Sequence, residues 1–148
     1  METIHTADEL RRTWSGEPVE GGAVLVDGDR IGAVGTLADL RERFPGARVR
    51  VWPGALGPAR VFVSPLPDAP SPRETIHAVL KSGATTVLAE YVGTPELRAA
   101  AERNGVLMVA RAQATPLGVT GRADLAVFDA DGTCLATVCA GRLVHRRR

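Results

Sequence analysis

Apolar residues follow two rhythms along this chain: short strand-like runs near both ends and longer helical faces between them. From Gly21 the sequence reads GGAVLVDGDRIGAVG, in which Ala23–Val26 and Ile31–Val34 flank Asp27-Gly28-Asp29-Arg30. Asp-Gly between β-prone runs tolerates the positive φ of a tight turn, so this stretch predicts a hairpin. Thr36 then stands as a cap with Asp39 placed to reciprocate, Leu37, Leu40 and Phe44 make one face, and Pro45-Gly46 stops the helix. Residues Val49 to Val51 read as a further strand.

The middle changes grammar. Val61 to Val63 is a short strand, followed by a proline-rich loop that cannot sit in a ladder. Ser71-Pro72-Arg73-Glu74 opens a helix with Ile76, Val79 and Leu80 on one face, closed by Gly83. Thr85 to Ala89 is the next strand. Thr94-Pro95-Glu96 opens a second helix carrying Leu97, Ala100 and Ala101, Asn104-Gly105 closes it, and Val106 to Ala110 is a third strand. Alternation of strand and helix with near-continuous apolar strands predicts a parallel β-α-β-α-β unit. Right-handed crossovers place both helices on one face, which leaves the other face in need of a cover. Past the loop around Thr115 to Gly121, antiparallel grammar returns in Leu125–Phe128, Leu135–Cys139 and Leu143–His145, joined by turns at Asp129-Ala130-Asp131-Gly132 and Ala140-Gly141.

Composition narrows the function. With 148 residues the chain fits one compact domain, whereas a complete (β/α)₈ barrel takes about 250. Lys+Arg 18 against Asp+Glu 17 makes no electrostatic footprint for nucleic acid, and the basic run Arg146-Arg147-Arg148 reads as a solvated end. No stretch approaches the roughly 20 apolar residues of a membrane helix, and no apolar leader follows a basic start, so a cytoplasmic protein is expected. Cys134 and Cys139 lie in an apolar strand without a second pair, the pattern of buried free thiols.

Both ends carry a family resemblance. Thr3-Ile4-His5-Thr6-Ala7, the hairpin segment and ARVRVWPG resemble the N-terminal half of the small β-sandwich, or composite domain, of the amidohydrolase superfamily. GRADLAVFDADGTCLATVCAGRLVHRR is similar to the C-terminal half, with imidazolonepropionase and aminodeoxyfutalosine deaminase the most similar members. The insert HAVLKSGATTVLAEYVGTPELRAAAERNGVLMVARAQ resembles the first units of that family's barrel. The implied fold is mixed α+β: a composite β-sandwich built from residues 1–54 and 121–148, enclosing a small parallel barrel remnant at 55–120. In that family Pro-Gly precedes an H-x-H strand whose histidines bind zinc or iron. The resemblance puts those positions at Ala59 and Val61, which offer no lone pair to a metal.

What chemistry remains is sparse. His5, His77 and His145 lack Asp, Glu or Cys companions at ligand spacing, although a sandwich could bring His5 and His145 together. The glycines are turn glycines, and no Walker loop, nucleophile elbow or cofactor motif is present, so no metal or other cofactor is expected. Asp124 enters a strand as a turn-fixing residue. Open α/β sheets bind ligands at strand carboxyl ends, which gathers Ser64, Asp68, Glu90, Tyr91, Arg111 and Gln113 on one rim. That rim reads either as a site for a small polar ligand or as a Glu90–Arg111 ion pair closing an exposed end. The expected function is a non-catalytic module acting by self-association, as a homodimer or with a partner protein that covers the open sheet, or by binding a small ligand. The alternative is a hydrolase of non-peptide C–N bonds with a repurposed rim.

Overall fold

Both ends of the chain meet in one sheet. The computed structural model describes residues 1–147, so Arg148 of the basic end lies outside the described residues. The N-terminal strands are β1 (Glu2–Leu10), β2 (Val19–Glu20), β3 (Gly22–Asp27), β4 (Arg30–Thr36) and β5 (Arg48–Pro58). The middle holds β6 (Arg60–Phe62), β7 (Ala84–Leu88) and β8 (Leu107–Val109), and the chain closes with β9 (Leu125–Phe128), β10 (Cys134–Cys139) and β11 (Arg142–Arg146). The large sheet is 8-stranded, in the order β11-β10-β9-β5-β1-β3-β4, with β2 pairing to β1. β5 is its pivot: it runs parallel to β1 from Arg48 to Leu56 and antiparallel to β9 from Ala55 to Pro58.

The sheet curls until its distant parts touch. Ile31 of β4 exchanges backbone bonds of 2.8 Å with Gly121 and Thr120, just ahead of β9. Ala123 N–H donates to the Asp29 carbonyl, and Gly141 N–H donates to the Ala123 carbonyl. Inside the curl, alternate residues of β1, β3, β5, β9 and β10 build one core that includes Leu10, Val24, Trp52, Leu56, Leu125 and Val138. On the outer face, helix α1 (Leu37–Arg43) lays Leu40 over Ile4, Ala23 and Leu25. Thr36 caps α1 by accepting the Asp39 N–H at 3.2 Å. The reciprocal half of the expected capping box is absent, because the Asp39 carboxylate turns to Arg43 one helical turn on, at 3.4 Å.

β5 runs through Gly54. β5 does not end there but continues to Pro58, because Gly54 takes φ +84° and bends the strand without breaking its pairing. The bend is a bulge in β5, where Pro53 and Gly54 together stand opposite a single residue of β1. That residue, Asp8, accepts the Gly54 N–H at 2.9 Å.

The middle forms the predicted parallel unit, with β6, β7 and β8 adjacent in chain order. α2 (Pro72–Lys81) and α3 (Pro95–Arg103) share one apolar cluster with Val87 of β7, so both lie on the same side of this sheet. Ser71 and Thr94 cap them through the N–H groups of Glu74 and Leu97. The same cluster contains Cys139, and the Thr137 hydroxyl donates to the Leu80 carbonyl at 2.7 Å, which anchors α2 to β10. Among the described residues no helix is long and apolar enough to cross a membrane.

Candidate functional site

The face of the small sheet turned away from α2 and α3 is the floor of a cavity of about 570 Å³. Val61, Thr86 and Leu107 stand in one register row across β6, β7 and β8 and all three line it. The cover expected for this face comes in part from the chain itself: residues 112–118 cross the opening, and Thr13, Trp14 and Ser15 reach it from the loop after β1. Leu117 is buried there, its N–H donating to the Arg12 carbonyl at 2.8 Å. Apolar area dominates the lining, with the hydroxyls of Thr13, Ser15, Thr85, Thr86 and Thr115, the Gln113 amide and the charged groups of Arg60, Arg122 and Asp124 as the polar part.

Trp14 is fixed from three sides. Its indole Nε1 donates to the Pro58 carbonyl at 2.6 Å, it meets Phe128 edge-on at 5.3 Å between centroids, and the Arg60 guanidinium lies over both rings, 4.1 Å from Phe128 and 5.1 Å from Trp14. Gly57 makes room for it, since a Cβ there would stand 2.6 Å from the indole.

At the inner end of the cavity sit Thr85, Arg122 and Asp124. Asp124 Oδ1 accepts the Ala140 N–H at 2.9 Å and lies 3.1 Å from Arg122 Nε. It holds the turn between β10 and β11, the role its place ahead of β9 suggested. Burial raises the Asp124 carboxyl above the ordinary range, opposed by the Ala140 bond and by Arg122. Arg122 Nη2 reaches the Gly105 carbonyl and, at 3.0 Å, Cys139 Sγ, tying the α3–β8 turn to the large sheet. Arg122 Nε is buried without a hydrogen-bond partner among the described residues, so its 3.1 Å approach to Asp124 is an ion-pair contact only.

The rim read from the sequence is not one site. Gln113 lines the cavity, whereas Asp68 and Tyr91 line a separate depression of about 410 Å³ formed with the proline loop and Thr94. Ser64, Glu90 and Arg111 are exposed and line neither, and Glu90 and Arg111 form no ion pair among the described residues. The reason is local: after β7 the chain turns at once into a single 3-10 turn, Ala89–Tyr91, which carries Glu90 outward. The lining supplied by residues 13–15 and 112–118 had no local signal, because neither segment has a period of its own.

His5 and His145 have separate neighbours. His5 is buried and accepts the Trp52 Nε1 hydrogen at 3.2 Å on Nδ1; burial, and secondarily Arg50, push its pKa down to about 4. His145 lies beside the Cys134 carbonyl at 3.3 Å, lowered first by burial and also by Lys81 and His77, which places it toward α2. The residues present do not fit the metal of the amidohydrolase pattern. Ala59 and Val61 line the cavity without donor atoms, and no cluster of three His, Cys, Asp or Glu side chains occurs among the described residues.

A curled sheet built from both chain ends, joined to a parallel β-α-β-α-β unit, defines a mixed α+β protein. Residues 22–47, which span β3, β4 and α1, match the bacterial imidazolonepropionase-like composite domain. Among solved structures the chain is similar to a zinc-bound adenosine deaminase from Xanthomonas campestris, at 21% identity and TM-score 0.56 over 72% of this chain and 32% of that one. It is also similar to guanine deaminase from E. coli (16%, TM-score 0.54, 73% and 35%) and from Bradyrhizobium japonicum (15%, TM-score 0.53, 72% and 34%). At these identities the likeness is one of fold, and the chain spans about a third of the length of those proteins. No curated protein matches it.

Proposed function

We propose that this chain is a non-catalytic, amidohydrolase-derived binding module that holds a small, largely apolar molecule in the cavity over Val61, Thr86 and Leu107. The reading rests on one observation: the strand face on which the family pattern sets its metal histidines opens into a cavity of about 570 Å³, with Ala59 and Val61 in their place. A cavity of that size suits a small organic ligand, and its few hydroxyls and one amide can orient a ligand bearing one or two polar groups. The small polar ligand expected from the sequence fits this lining less well, since Glu90 and Arg111 point elsewhere and Asp124 is committed to Arg122 and Ala140. Under this reading the curled sheet is the composite β-sandwich, serving as scaffold, and the cavity sits where the remainder of a barrel would close.

The test is a thermal-shift screen of small organic molecules on the whole chain and on T86R, in which a long cation fills the cavity floor. Hits stabilise the wild-type chain by several degrees, as ligand at about 100 times its Kd contributes roughly 2.7 kcal/mol, and leave T86R unshifted. Recovery of a chemically altered ligand would move the protein to the hydrolase reading, and equal stabilisation of T86R would remove the cavity as the site. Self-association is favoured by a separate observation: β6 and β8 are both edges of the small sheet, and Leu107 on β8 is 43% exposed. Sedimentation equilibrium separates that reading, because a strict monomer at high concentration rules it out.

A further inference from the structure

The first half of β5 has a free edge. β1 pairs with it from Arg48 to Trp52, whereas β9 joins only at Ala55. Among the described residues no other strand and no other backbone hydrogen bond meets residues 48–53. In a parallel pair every second residue turns its N–H and C=O away from the partner, so this edge offers unpaired backbone groups over about 20 Å. Edges of that length are usually blunted or covered. Here Val51 is 73% exposed.

The charge beside the edge is of one sign. Strand alternation puts Arg48, Arg50 and Trp52 on one face of β5, with successive residues of that row about 7 Å apart. Arg146, exposed as the sequence suggested, lies over the Trp52 ring at 5.4 Å and so adds its charge to the same face. None of the three arginines forms a salt bridge among the described residues. Asp8, across from the bend, accepts the Gly54 N–H.

We propose that residues 48–53 form a docking edge for an extended acidic segment of another protein, which adds as a strand beside β5 and sets alternate carboxylates against Arg48, Arg50 and Arg146. The free backbone groups supply the pairing, and the row spacing matches alternate residues of an added strand. A second copy of this chain is the poorer occupant. Pairing of two such edges about a two-fold axis sets these arginines against their own counterparts, and like charges across a strand pair are destabilising. The proposal is independent of the cavity.

The experiment is fluorescence anisotropy of the whole chain with a labelled peptide of alternating Glu and Val. Controls are the Lys-Val counterpart and a Glu-Val peptide N-methylated at alternate residues. The Glu-Val peptide binds saturably and loses affinity as salt shortens the Debye length; the Lys-Val and N-methylated peptides bind at least about tenfold more weakly. In R48E/R50E, shown folded by circular dichroism, the preference between the Glu and Lys peptides reverses. Equal binding of the Glu and Lys peptides, or no change in R48E/R50E, overturns the proposal. Full retention of the N-methylated peptide overturns strand addition, and capture by phosphatidylserine vesicles without peptide binding would assign the arginines to a lipid surface instead.

Discussion

Replacing Gly54 by alanine tests whether the bend in β5 is what joins the two parts of the molecule. Gly54 has φ +84°, and an added Cβ would stand 2.2 Å from the Phe128 carbonyl oxygen and 3.1 Å from its carbon, both backbone atoms that cannot swing aside. Gly132 is the control, with φ +81° and nothing within 4 Å of the same Cβ. Both substitutions force a non-glycine residue into the left-handed region, which costs roughly 1–2 kcal/mol. Both also reduce the freedom of the unfolded chain by a similar amount, which cancels in the comparison. Only G54A adds the overlap with β9, about 1–3 kcal/mol for an overpacked contact that the backbone must relieve. The expected order is therefore a loss of about 1 kcal/mol for G132A and about 2–4 kcal/mol for G54A. At about 3 °C per kcal/mol, the melting temperatures fall by roughly 3 and 6–12 °C. Urea denaturation followed by far-ultraviolet circular dichroism measures both, with an unchanged slope indicating a shift in stability alone. If the two variants differ by less than about 0.5 kcal/mol, the close approach of β5 to Phe128 is not what holds the bend, and the placement of Ala59 and Val61 needs another cause.

Acid should loosen the curled sheet through His5, whose pKa falls from 6.5 to about 4 on folding. The unfolded chain then binds the extra proton between those values, so stability is full above about pH 6.5 and is lost as pH falls toward 4, by on the order of 3 kcal/mol. His145 shifts in the same direction, whereas the raised Asp124 carboxyl contributes stability at low pH that is lost as pH rises through its folded pKa. Urea midpoints between pH 4 and 7 should flatten in H5Q, and an imidazole titrating near 6.5 in the folded chain would refute the burial argument. Both thiols are buried and their pKa values raised by burial, so Cys134 and Cys139 should resist a thiol reagent in the native chain and react at once in denaturant. Rapid native labelling of either would show that the α2–β10 contact opens. Addition of a chelator should leave the melting temperature unchanged, since positions 59 and 61 carry no donor; a drop of several degrees would point to a metal bound elsewhere.

Local grammar carried much of the architecture. Asp27-Gly28 made the hairpin, Thr36, Ser71 and Thr94 set the helix starts, and the spacing of Ile76, Val79 and Leu80 chose the buried face of α2, because each of these depends on residues a few positions apart. Even the mismatch at Ala59 and Val61 was readable, since a residue either has a lone pair to offer or does not. What escaped was everything decided by distant approach. That β5 bends through Gly54 instead of ending depends on Asp8 and on Phe128, residues far away in the chain. That Trp14 and Leu117 wall the cavity depends on the Pro58 and Arg12 carbonyls. The supposed rim of Glu90, Arg111 and Ser64 dispersed because side-chain direction at the end of a strand is set by the turn that follows it. Arg146 found the Trp52 face only once the sheet had curled. Sequence periodicity determined which residues turn inward, while the curvature of the sheet, the sum of one bend and a few cross-chain hydrogen bonds, decided which of them meet.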